Sequence, residues 1–350
     1  MKRALITGIT GQDGAYLAKF LLDKGYEVFG TYRRLSTPNF WRSQYLGIFE
    51  NLNLIPADLV DAGSIMEAIR ISRPDEIYHL AAQSFVGTSF EQPIGTGDMT
   101  GLGVTRVLEA IRNFDPEIKF YQASTSELYG NSSNKQANED VPFKPSSPYA
   151  AAKLYAYWQT RIYREGYNIF ACNGILFNHE SPLRGLEFVT RKITNAVAKI
   201  SLGLEKDIKL GNIEAKRDWG YAPDYIESMW MILQQKDPDD YVIATNESHS
   251  VKEFAEKAFD AAGLDWQEHV ITDKRFLRPL DVHFLQGDYD KANKKLGWTP
   301  KVKFDGLIKL MVKEDLSRWE RWQSGERFPW DAFNYPCEDK ILSRYHIMER

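Results

Sequence analysis

Short apolar runs alternate with stretches of helical pattern through the first half of the chain. Six of these runs have the length and composition of buried strands: 3–8, 26–32, 52–59, 75–82, 119–125 and 168–177. Four stretches between them carry apolar residues at helical spacing: 13–25, 62–74, 101–114 and 147–167. Strands that alternate with helices pair in parallel through right-handed crossovers. The sequence therefore predicts an α/β fold with a doubly wound parallel sheet.

The alternation becomes less regular in the second half, where Pro, Trp and charged residues are more frequent. We expect a Rossmann-type domain over residues 1–178 and a smaller mixed α/β lobe over 179–350. An apolar run near 240–246 has the pattern of a strand that returns to the first sheet. A chain of 350 residues is long enough to form two such lobes.

Composition excludes several other classes of protein. The formal net charge of −4 gives no overall basic field for nucleic acid. Cys172 and Cys337 form no CxxC pair and are expected to be reduced thiols, and the six histidines are scattered, so no metal site is expected. No apolar run approaches the ~18 residues of a membrane span. The first run stops at Gly8, short for a signal peptide, and we expect a cytoplasmic protein without a membrane partner.

Three glycines, Gly8, Gly11 and Gly14, lie where the first predicted strand passes into the first predicted helix. Glycine at such a turn permits a positive φ and lets the backbone approach a pyrophosphate at the helix N-terminus. The triplet alone is a weak signal, because a turn that merely ends a strand has the same composition. Its place at the start of a strand–helix–strand unit favours a dinucleotide site.

The end of the second predicted strand distinguishes between nicotinamide cofactors. A site for NAD has an acidic residue there that holds the ribose hydroxyls, whereas this chain has Arg33 and Arg34. Two guanidinium groups suit the 2′-phosphate of NADP, although a solvated basic loop is the alternative. Residues after the third and fourth strands are expected at the adenine and along the middle of NADP: Asp58, Leu59, Leu80, Ala81 and Ala82.

Tyr149 and Lys153 are spaced four residues apart on a predicted helix, which puts both on one helical face. A tyrosine with a pKa of about 10 is a poor base near neutral pH, and a nearby ammonium favours its phenolate. The pair also occurs on ordinary helix surfaces. After an NADP-type turn, it indicates a site for proton transfer coupled to hydride transfer.

Residues 122–130 follow the strand that is expected to end beside Tyr149. Thr125 or Ser126 there can orient a substrate hydroxyl. Glu127 needs a further explanation, because hydride transfer alone requires no carboxylate, whereas elimination of water requires a group that removes a C–H proton. The alternative is a Glu127 that caps a turn and faces solvent.

Together these residues resemble the extended short-chain dehydrogenase/reductase superfamily, and within its sugar-nucleotide branch the GDP-mannose 4,6-dehydratase family. The resemblance covers nearly the whole chain, and 171–194 and 217–220 are its most specific segments. It implies a set of catalytic residues: Thr125, Ser126, Glu127, Tyr149 and Lys153. It implies further contacts to NADP: Gly8, Gly11, Gln12, Asp13, Gly14, Arg33, Arg34, Ser36, Asp58, Leu59, His179 and Arg184. We expect Ser84 to contact the GDP-sugar. The resemblance implies six further contacts to the GDP-sugar: Glu127, Asn178, Val189, Lys192, Arg217 and Arg278.

The resemblance implies an internal redox cycle on GDP-mannose: oxidation at C4, loss of water across C5 and C6, and return of hydride to C6. A GDP-4-keto-6-deoxy-sugar reductase or epimerase would keep the glycine turn, Tyr149 and Lys153 but has no need of Glu127. A dehydratase for a related GDP-sugar is also compatible with these residues. A cofactor-bound regulatory protein without turnover is the remaining alternative, although it has no need of a phenolate.

Several positions depart from the pattern that the resemblance implies. Leu35 stands where the family usually has a small polar residue, and Gly95 stands where it usually has a tyrosine that packs on the cofactor. Tyr221 stands where a histidine is common in the family. The segment 35–57 is shorter and more aromatic than the family's arm, which helps to form a tetramer by reaching a neighbour's cofactor site. We expect a homodimer or homotetramer. Residues 154–163 form either a helix–helix dimer seam or a face buried within the subunit.

Overall fold

A parallel sheet of seven strands forms the centre of the molecule in the computed structural model, which describes residues 1–37, 39–131, 136–332 and 335. Its strands are β1 (Arg3–Thr7), β2 (Glu27–Tyr32), β3 (Asn53–Pro56), β4 (Glu76–His79), β5 (Lys119–Thr125), β6 (Ala171–Leu176) and β11 (Tyr241–Ile243). Across the sheet they follow the order β11-β6-β5-β4-β1-β2-β3. The predicted doubly wound α/β fold is confirmed, and the order reverses between β1 and β4, where such sheets bind ligands.

The other strands form three pairs outside the central sheet. They are β7 (Asn178–Glu180), β8 (Ile208–Leu210), β9 (Lys216–Arg217), β10 (Trp219–Tyr221), β12 (His249–Ser250) and β13 (Val270–Thr272). β10 pairs with β7 and β13 with β8 in parallel, and β12 pairs with β9 in the antiparallel direction. These short pairs build the second lobe around the carboxyl edge of the central sheet.

Helices cover both faces of the central sheet. The α-helices are α1 (Gln12–Asp23), α2 (Trp41–Tyr45), α3 (Ala62–Ser72), α4 (Val86–Glu91), α5 (Pro93–Thr96), α6 (Gly103–Phe114), α7 (Pro148–Tyr167), α8 (Val189–Ser201), α9 (Ala222–Leu233), α10 (Val251–Asp260), α11 (Asp290–Leu296) and α12 (Phe304–Gln323). Helices α1 and α9 pack on one face, and α3, α6 and α7 pack on the other. A third apolar core joins α8, α10 and α12 in the second lobe.

The structure corrects the bounds of several predicted elements. The helix predicted over 101–114 begins at Gly103, and a π-helical turn over Gly97–Leu102 precedes it. The third strand ends at Pro56, well before residue 59, because the chain there turns into α3. The apolar runs extend beyond the strands because loop residues beside a parallel sheet are also buried.

Capping residues define both ends of the long helix α7. The Ser147 hydroxyl accepts a hydrogen bond from the Ala150 amide, and Pro148 occupies the first turn. Asn168 caps the C-terminal end of the helix and has a left-handed φ of 56°. Its first turns carry Tyr149 and Lys153 to the carboxyl edge of the sheet. Helix α7 is therefore the element that holds both side chains at the centre of the fold.

The segment after β2 packs within its own subunit. Helix α2 places Trp41 in an apolar cluster with Leu183, Trp319 and Trp330, and only 7% of Trp41 is exposed. The aromatic residues of this arm thus contribute to a core between the two lobes.

On α7, by contrast, Tyr155, Trp158 and Ile162 are 39%, 47% and 50% exposed, whereas Tyr157 and Tyr163 are buried. The face at 154–163 is therefore only partly covered by its own subunit.

Three further findings concern the described part of the chain. Cys172 is a buried free thiol, and Cys337 lies outside the described residues. Within that part, no cluster of three or more His, Cys, Asp or Glu side chains is arranged to hold a metal ion. None of its helices combines the length and apolarity that crossing a membrane requires.

Candidate active site

Two adjoining cavities open at the carboxyl edge of the sheet, beside the ends of β1 and β4. The cavity that we call the edge cavity is lined by these predicted residues: Gly8, Gly11, Arg33, Asp58, Leu59, Leu80, Ala81, Ala82 and Ser84. The cavity that we call the central cavity is lined by a larger set: Gly8, Gly11, Gln12, Asp13, Gly14, Leu80, Ala82, Ser84, Thr125, Ser126, Glu127, Tyr149, Lys153, Asn178, His179, Arg184, Val189, Lys192, Arg217 and Arg278. The fold therefore gathers nearly all predicted site residues around one cleft.

The glycine turn fits the close approach of a dinucleotide. Gly8 has a φ of +76°, and a Cβ there would lie 2.9 Å from the Ala81 Cα. A Cβ at Gly14 would lie 2.4 Å from the Gly8 carbonyl oxygen, so only glycine allows α1 to start this close to β1. Gly11 is the N-cap residue of α1 and has an ordinary φ of −76°. The free amides of the first turn of α1 are thus available to a pyrophosphate.

A largely buried ion pair lies beside this turn, between Asp13 in the first turn of α1 and His179. The His179 Nε2 atom is 2.8 Å from Asp13 Oδ2, and its Nδ1 atom is 2.8 Å from the Phe177 carbonyl oxygen. A carbonyl oxygen and an ionised carboxylate both accept hydrogen bonds, so this geometry favours the imidazolium form of His179. Burial opposes this charge, but Asp13 outweighs burial and raises the pKa of His179. Burial acts to raise the pKa of Asp13, but His179 and Gln12 outweigh burial and lower this pKa to about 2.

The edge cavity contains only part of the predicted basic site. Arg33 lines it opposite Asp58, whereas Arg34 and Ser36 lie on an exposed segment and line neither of the two cavities. Gly95 also lines this cavity, and a Cβ at Gly95 would have no neighbour within 4 Å. Contact of Arg34 and Ser36 with the cofactor stays a prediction.

Tyr149 and Lys153 meet in the central cavity, both at least nine-tenths buried. Lys153 Nζ donates to the Ala123 carbonyl oxygen at 2.7 Å and lies 6.0 Å from the centre of the Tyr149 ring. Burial raises the pKa of Tyr149 to about 12, although a hydrogen bond with Thr125 acts to lower it. Burial also lowers the pKa of Lys153 to about 8. In this arrangement burial opposes the phenolate of Tyr149 and the ammonium of Lys153, and the proton-transfer role of the pair stays a prediction.

Glu127 faces the central cavity. It lies in a 3₁₀ turn after β5, where the Thr125 hydroxyl accepts a hydrogen bond from the Glu127 amide at 3.2 Å. Only 8% of Glu127 is exposed. Its Oε1 atom lies 3.9 Å from Arg278 Nη1. The capping group of this turn is therefore Thr125, and the Glu127 carboxylate is free to act on a molecule in the cavity.

Three cations line the far end of the central cavity. Arg217 is buried and lies 3.5 Å from Asp281, Arg278 lies near Glu127, and Lys192 Nζ lies 4.0 Å from the centre of the Phe276 ring. Guanidinium and ammonium groups that converge on one cavity suit a diphosphate.

The sequence interpretation missed an aromatic lining of the central cavity. The rings of Phe85 and Phe188 meet edge to face at 5.7 Å, and Phe276 lies beside Lys192. Phe85 could have been found from its place directly after the loop at 80–84. Phe276 gave no comparable signal, because it comes from a distant loop that only the folding of the second lobe brings to the cleft.

A doubly wound sheet whose glycine turn adjoins Thr125, Tyr149 and Lys153 defines an enzyme of the short-chain dehydrogenase/reductase class. The chain is similar to a solved UDP-glucose 4-epimerase of Thermus thermophilus in complex with NAD, with a TM-score of 0.78, 26% identity, and 89% and 98% of the two chains covered. It also shares its fold with RMD from Pseudomonas aeruginosa complexed with NADPH, with a TM-score of 0.74, 20% identity, and 91% and 100% covered.

Residues 5–311 match the family described as GDP-mannose 4,6 dehydratase. Relatives of that name are 52% identical in Arabidopsis thaliana (91% of each chain covered) and 50% identical in Homo sapiens (89% of this chain and 91% of the relative). The relative from Vibrio cholerae is 46% identical, with 91% and 95% covered. The chain belongs to the GDP-mannose 4,6-dehydratase family.

Proposed function

We propose that this protein converts GDP-mannose to GDP-4-dehydro-6-deoxymannose and water, with a nicotinamide cofactor that is regenerated in each cycle. The observation that carries this proposal is the Glu127 carboxylate, which shares the central cavity with Thr125, Tyr149 and Arg278. A reductase for GDP-4-keto sugars, the nearest alternative, has no step that requires this carboxylate, and an epimerase for such sugars would use a base but release no water. The family membership supports the same activity.

The residues divide the proton transfers of this reaction between them. Tyr149 takes the proton of the C4 hydroxyl, which Thr125 orients, as C4 becomes a ketone. The ketone acidifies the C5–H bond, and Glu127 removes that proton. Glu127 then gives the proton to the C6 hydroxyl, which leaves as water, and Tyr149 returns its own proton to C5. A nicotinamide bound beside Tyr149 would supply the acceptor for the hydride of C4 and the donor of hydride to C6.

We infer that Arg217, Arg278 and Lys192 bind the diphosphate and guanine side of the substrate, while Ser84, Asn178 and Val189 complete its pocket. The glycine turn and Asp13 hold the cofactor from the first lobe, and His179 and Arg184 reach it from the beginning of the second. This assignment follows the domain division that we propose: residues 1–178 with β11 for the cofactor, and mainly residues 179–350 for the GDP-sugar. A dehydratase that acts on a related GDP-sugar would use the same groups.

We propose NADP rather than NAD as the cofactor. Arg33 follows β2 directly and lines the edge cavity, where a guanidinium suits a 2′-phosphate. Binding of NADP⁺ and NAD⁺ to the purified protein, measured by quenching of tryptophan fluorescence, tests this preference. Equal affinity for the two dinucleotides would contradict it.

The exposed side chains of Tyr155, Trp158 and Ile162 support assembly of the protein into a homo-oligomer through α7. Sedimentation of the wild type and of Trp158→Glu measures this assembly, and a monomeric wild type would contradict it. The cytoplasmic location stays a prediction, which fractionation of the source cells tests.

Mass spectrometry of GDP-mannose incubated with the purified protein tests the main proposal. Without added cofactor, we expect a nucleotide sugar that is lighter by one water, because a cofactor regenerated in each cycle can remain bound. Unchanged substrate, even after NADP⁺ is added, would contradict the proposal. GDP-4-keto sugars with NADPH would then be the substrates to test.

A further inference from the structure

Arg42 on α2 joins two separate parts of the cleft. Its Nη1 atom donates to the Thr10 carbonyl oxygen at 3.1 Å, and its Nε atom donates to the Leu183 carbonyl oxygen at 2.7 Å. Thr10 lies within the glycine turn, between Gly8 and Gly11. Leu183 directly precedes Arg184, which lines the central cavity. One guanidinium therefore spans the turn that approaches the dinucleotide and the segment that carries a predicted cofactor contact.

The segment around Leu183 is held by arginines on both sides. The Pro182 carbonyl oxygen accepts hydrogen bonds from Arg191 at 2.8 Å and from Arg318 at 2.6 Å. The Arg184 carbonyl oxygen accepts a further bond from Arg191 at 3.0 Å. Three consecutive carbonyl groups, 182 to 184, thus each accept from an arginine. Arg42 extends this array to the glycine turn.

The guanidinium of Arg42 is itself fixed by the arm that carries it. It lies 4.6 Å from the centre of the Trp41 ring, and Trp41 is buried in the cluster between the lobes. At the end of the same helix, the Tyr45 hydroxyl accepts a hydrogen bond from Arg318 at 3.2 Å. Arg42 is not one of the described residues that line the edge cavity or the central cavity. Its effect on a ligand is therefore exerted through the two backbone segments that it joins.

We propose that Arg42 is a positioning residue for the dinucleotide, which holds the glycine turn and Arg184 at the spacing that one bound cofactor requires. The proposal rests on the cofactor use proposed above. Loss of the guanidinium leaves two carbonyl groups without their donor and lets the two segments move independently. Affinity falls for a ligand that spans both segments, whereas a ligand confined to the edge cavity binds as before.

Arg42→Met, which keeps the side chain's length but removes its donors, tests this role beside Arg42→Lys. The control is Arg70→Met, because Arg70 is exposed on α3 and pairs only with the exposed Glu67 in the described structure. The probes are NADP⁺, which spans the cleft, and adenosine 2′-monophosphate, which has neither a pyrophosphate nor a nicotinamide. Binding is followed by quenching of tryptophan fluorescence, and folding by thermal unfolding.

We expect Arg42→Met to weaken NADP⁺ binding by about tenfold or more, since two partly buried acceptors lose their donor. Affinity for adenosine 2′-monophosphate and kcat at saturating NADP⁺ stay within about threefold of the wild type. Arg42→Lys has an intermediate affinity for NADP⁺, because an ammonium lacks the planar fork of N–H donors with which a guanidinium reaches both carbonyl groups. Arg70→Met matches the wild type with both probes.

NADP⁺ affinity within about twofold of the wild type for Arg42→Met would overturn the proposal. An equal loss of affinity for both probes would also overturn it, because it would indicate a general disturbance. If Arg42→Met does not fold, Arg42→Lys must still separate the two probes. A wild type that prefers NAD⁺ overturns only the choice of NADP, and NAD⁺ with adenosine then provides the same comparison for Arg42.

Discussion

At the scale of single residues, Glu127 distinguishes this site from one that only transfers hydride. Its carboxylate lies in the cavity with Tyr149 and Thr125 and within 3.9 Å of Arg278, so it can reach a molecule bound there. Tyr149 needs activation, because burial raises its pKa to about 12. The two groups thus have separate tasks: Glu127 moves the proton of the elimination, and Tyr149 moves the proton of the oxidation.

Glu127→Gln is expected to stop elimination while oxidation at C4 continues. General acid–base groups contribute about 10²- to 10⁴-fold to a rate, so formation of the deoxy product should fall by that factor. Reduced nicotinamide should accumulate in a single turnover, visible by its near-ultraviolet absorbance. Glu67→Gln, at an exposed position on α3, is the control and should retain full activity. Product formation at the wild-type rate by Glu127→Gln would contradict the assigned role.

The Asp13–His179 pair gives a second prediction, on pH. The raised pKa of His179 adds stability that is complete below about pH 6.5 and is lost as pH rises through the folded-state pKa. The pKa of Asp13, lowered from 3.8 to about 2, adds stability that is complete above pH 3.8 and is lost as pH falls toward 2. The free energies of unfolding of the wild type and of His179→Asn, measured in urea, should therefore differ most between pH 3.8 and about pH 6.5. This difference should become smaller at alkaline pH. A difference of the same size at about pH 5 and about pH 10 would contradict the ion pair.

At the scale of elements, the junction of β1 with α1 depends on backbone atoms that only glycine lets approach. At Gly14, a Cβ would collide with the Gly8 carbonyl oxygen at 2.4 Å and with the Ile9 Cα at 2.7 Å. Both are backbone atoms, so no side-chain rotation relieves the clash. The position of α1 against β1, and hence the direction of its first amides, follows from this contact.

Gly14→Ala is expected to lower the free energy of unfolding by about 1–3 kcal/mol, as overpacking does, and to weaken dinucleotide binding. Gly166→Ala is the matched control, since it is also helical and a Cβ there has no neighbour within 4 Å. That change should stabilise the protein by about 0.5–1 kcal/mol. Urea unfolding and titration with NADP⁺ measure both effects, and equal behaviour of the two variants would refute the steric explanation.

At the scale of the whole molecule, the second lobe is held together by buried charge as well as by apolar packing. Arg191 on α8 and Asp315 on α12 are both fully buried, and their side chains approach to 2.8 Å. The Thr194 hydroxyl also donates to Asp315 at 2.7 Å. Because Arg191 bonds the Pro182 carbonyl oxygen as well, this pair supports the segment that enters the cleft.

Asp315→Ala is expected to lower the free energy of unfolding by about 3–5 kcal/mol, because it leaves the Arg191 charge buried without its partner. Asp23→Ala removes a partner from the exposed Lys19–Asp23 pair and should change stability by less than about 1 kcal/mol. Chemical denaturation of the two variants provides the measurement. A cost for Asp315→Ala as small as that for Asp23→Ala would show that the buried pair is not needed for stability.

The sequence by itself determined the sheet, the glycine turn and the chemical types at the reacting centre. Strand and helix patterns are local, and Gly8, Gly14, Tyr149 and Lys153 lie within or beside elements whose direction those patterns already define. The family resemblance, drawn from motifs along the whole chain, supplied the substrate class, which the family match confirms.

Only the tertiary structure decided which distant side chains share the cleft and what charge they carry there. Phe276 reaches the central cavity from a loop, and Arg42 reaches the backbone beside the cleft from the arm, along paths that depend on packing between lobes. The pKa values of Tyr149 and Lys153 moved against the sequence expectation, because burial is a property of the folded molecule and opposes both charged forms. Spacing along a helix predicts which residues are neighbours, but it does not predict how much water the completed fold leaves around them.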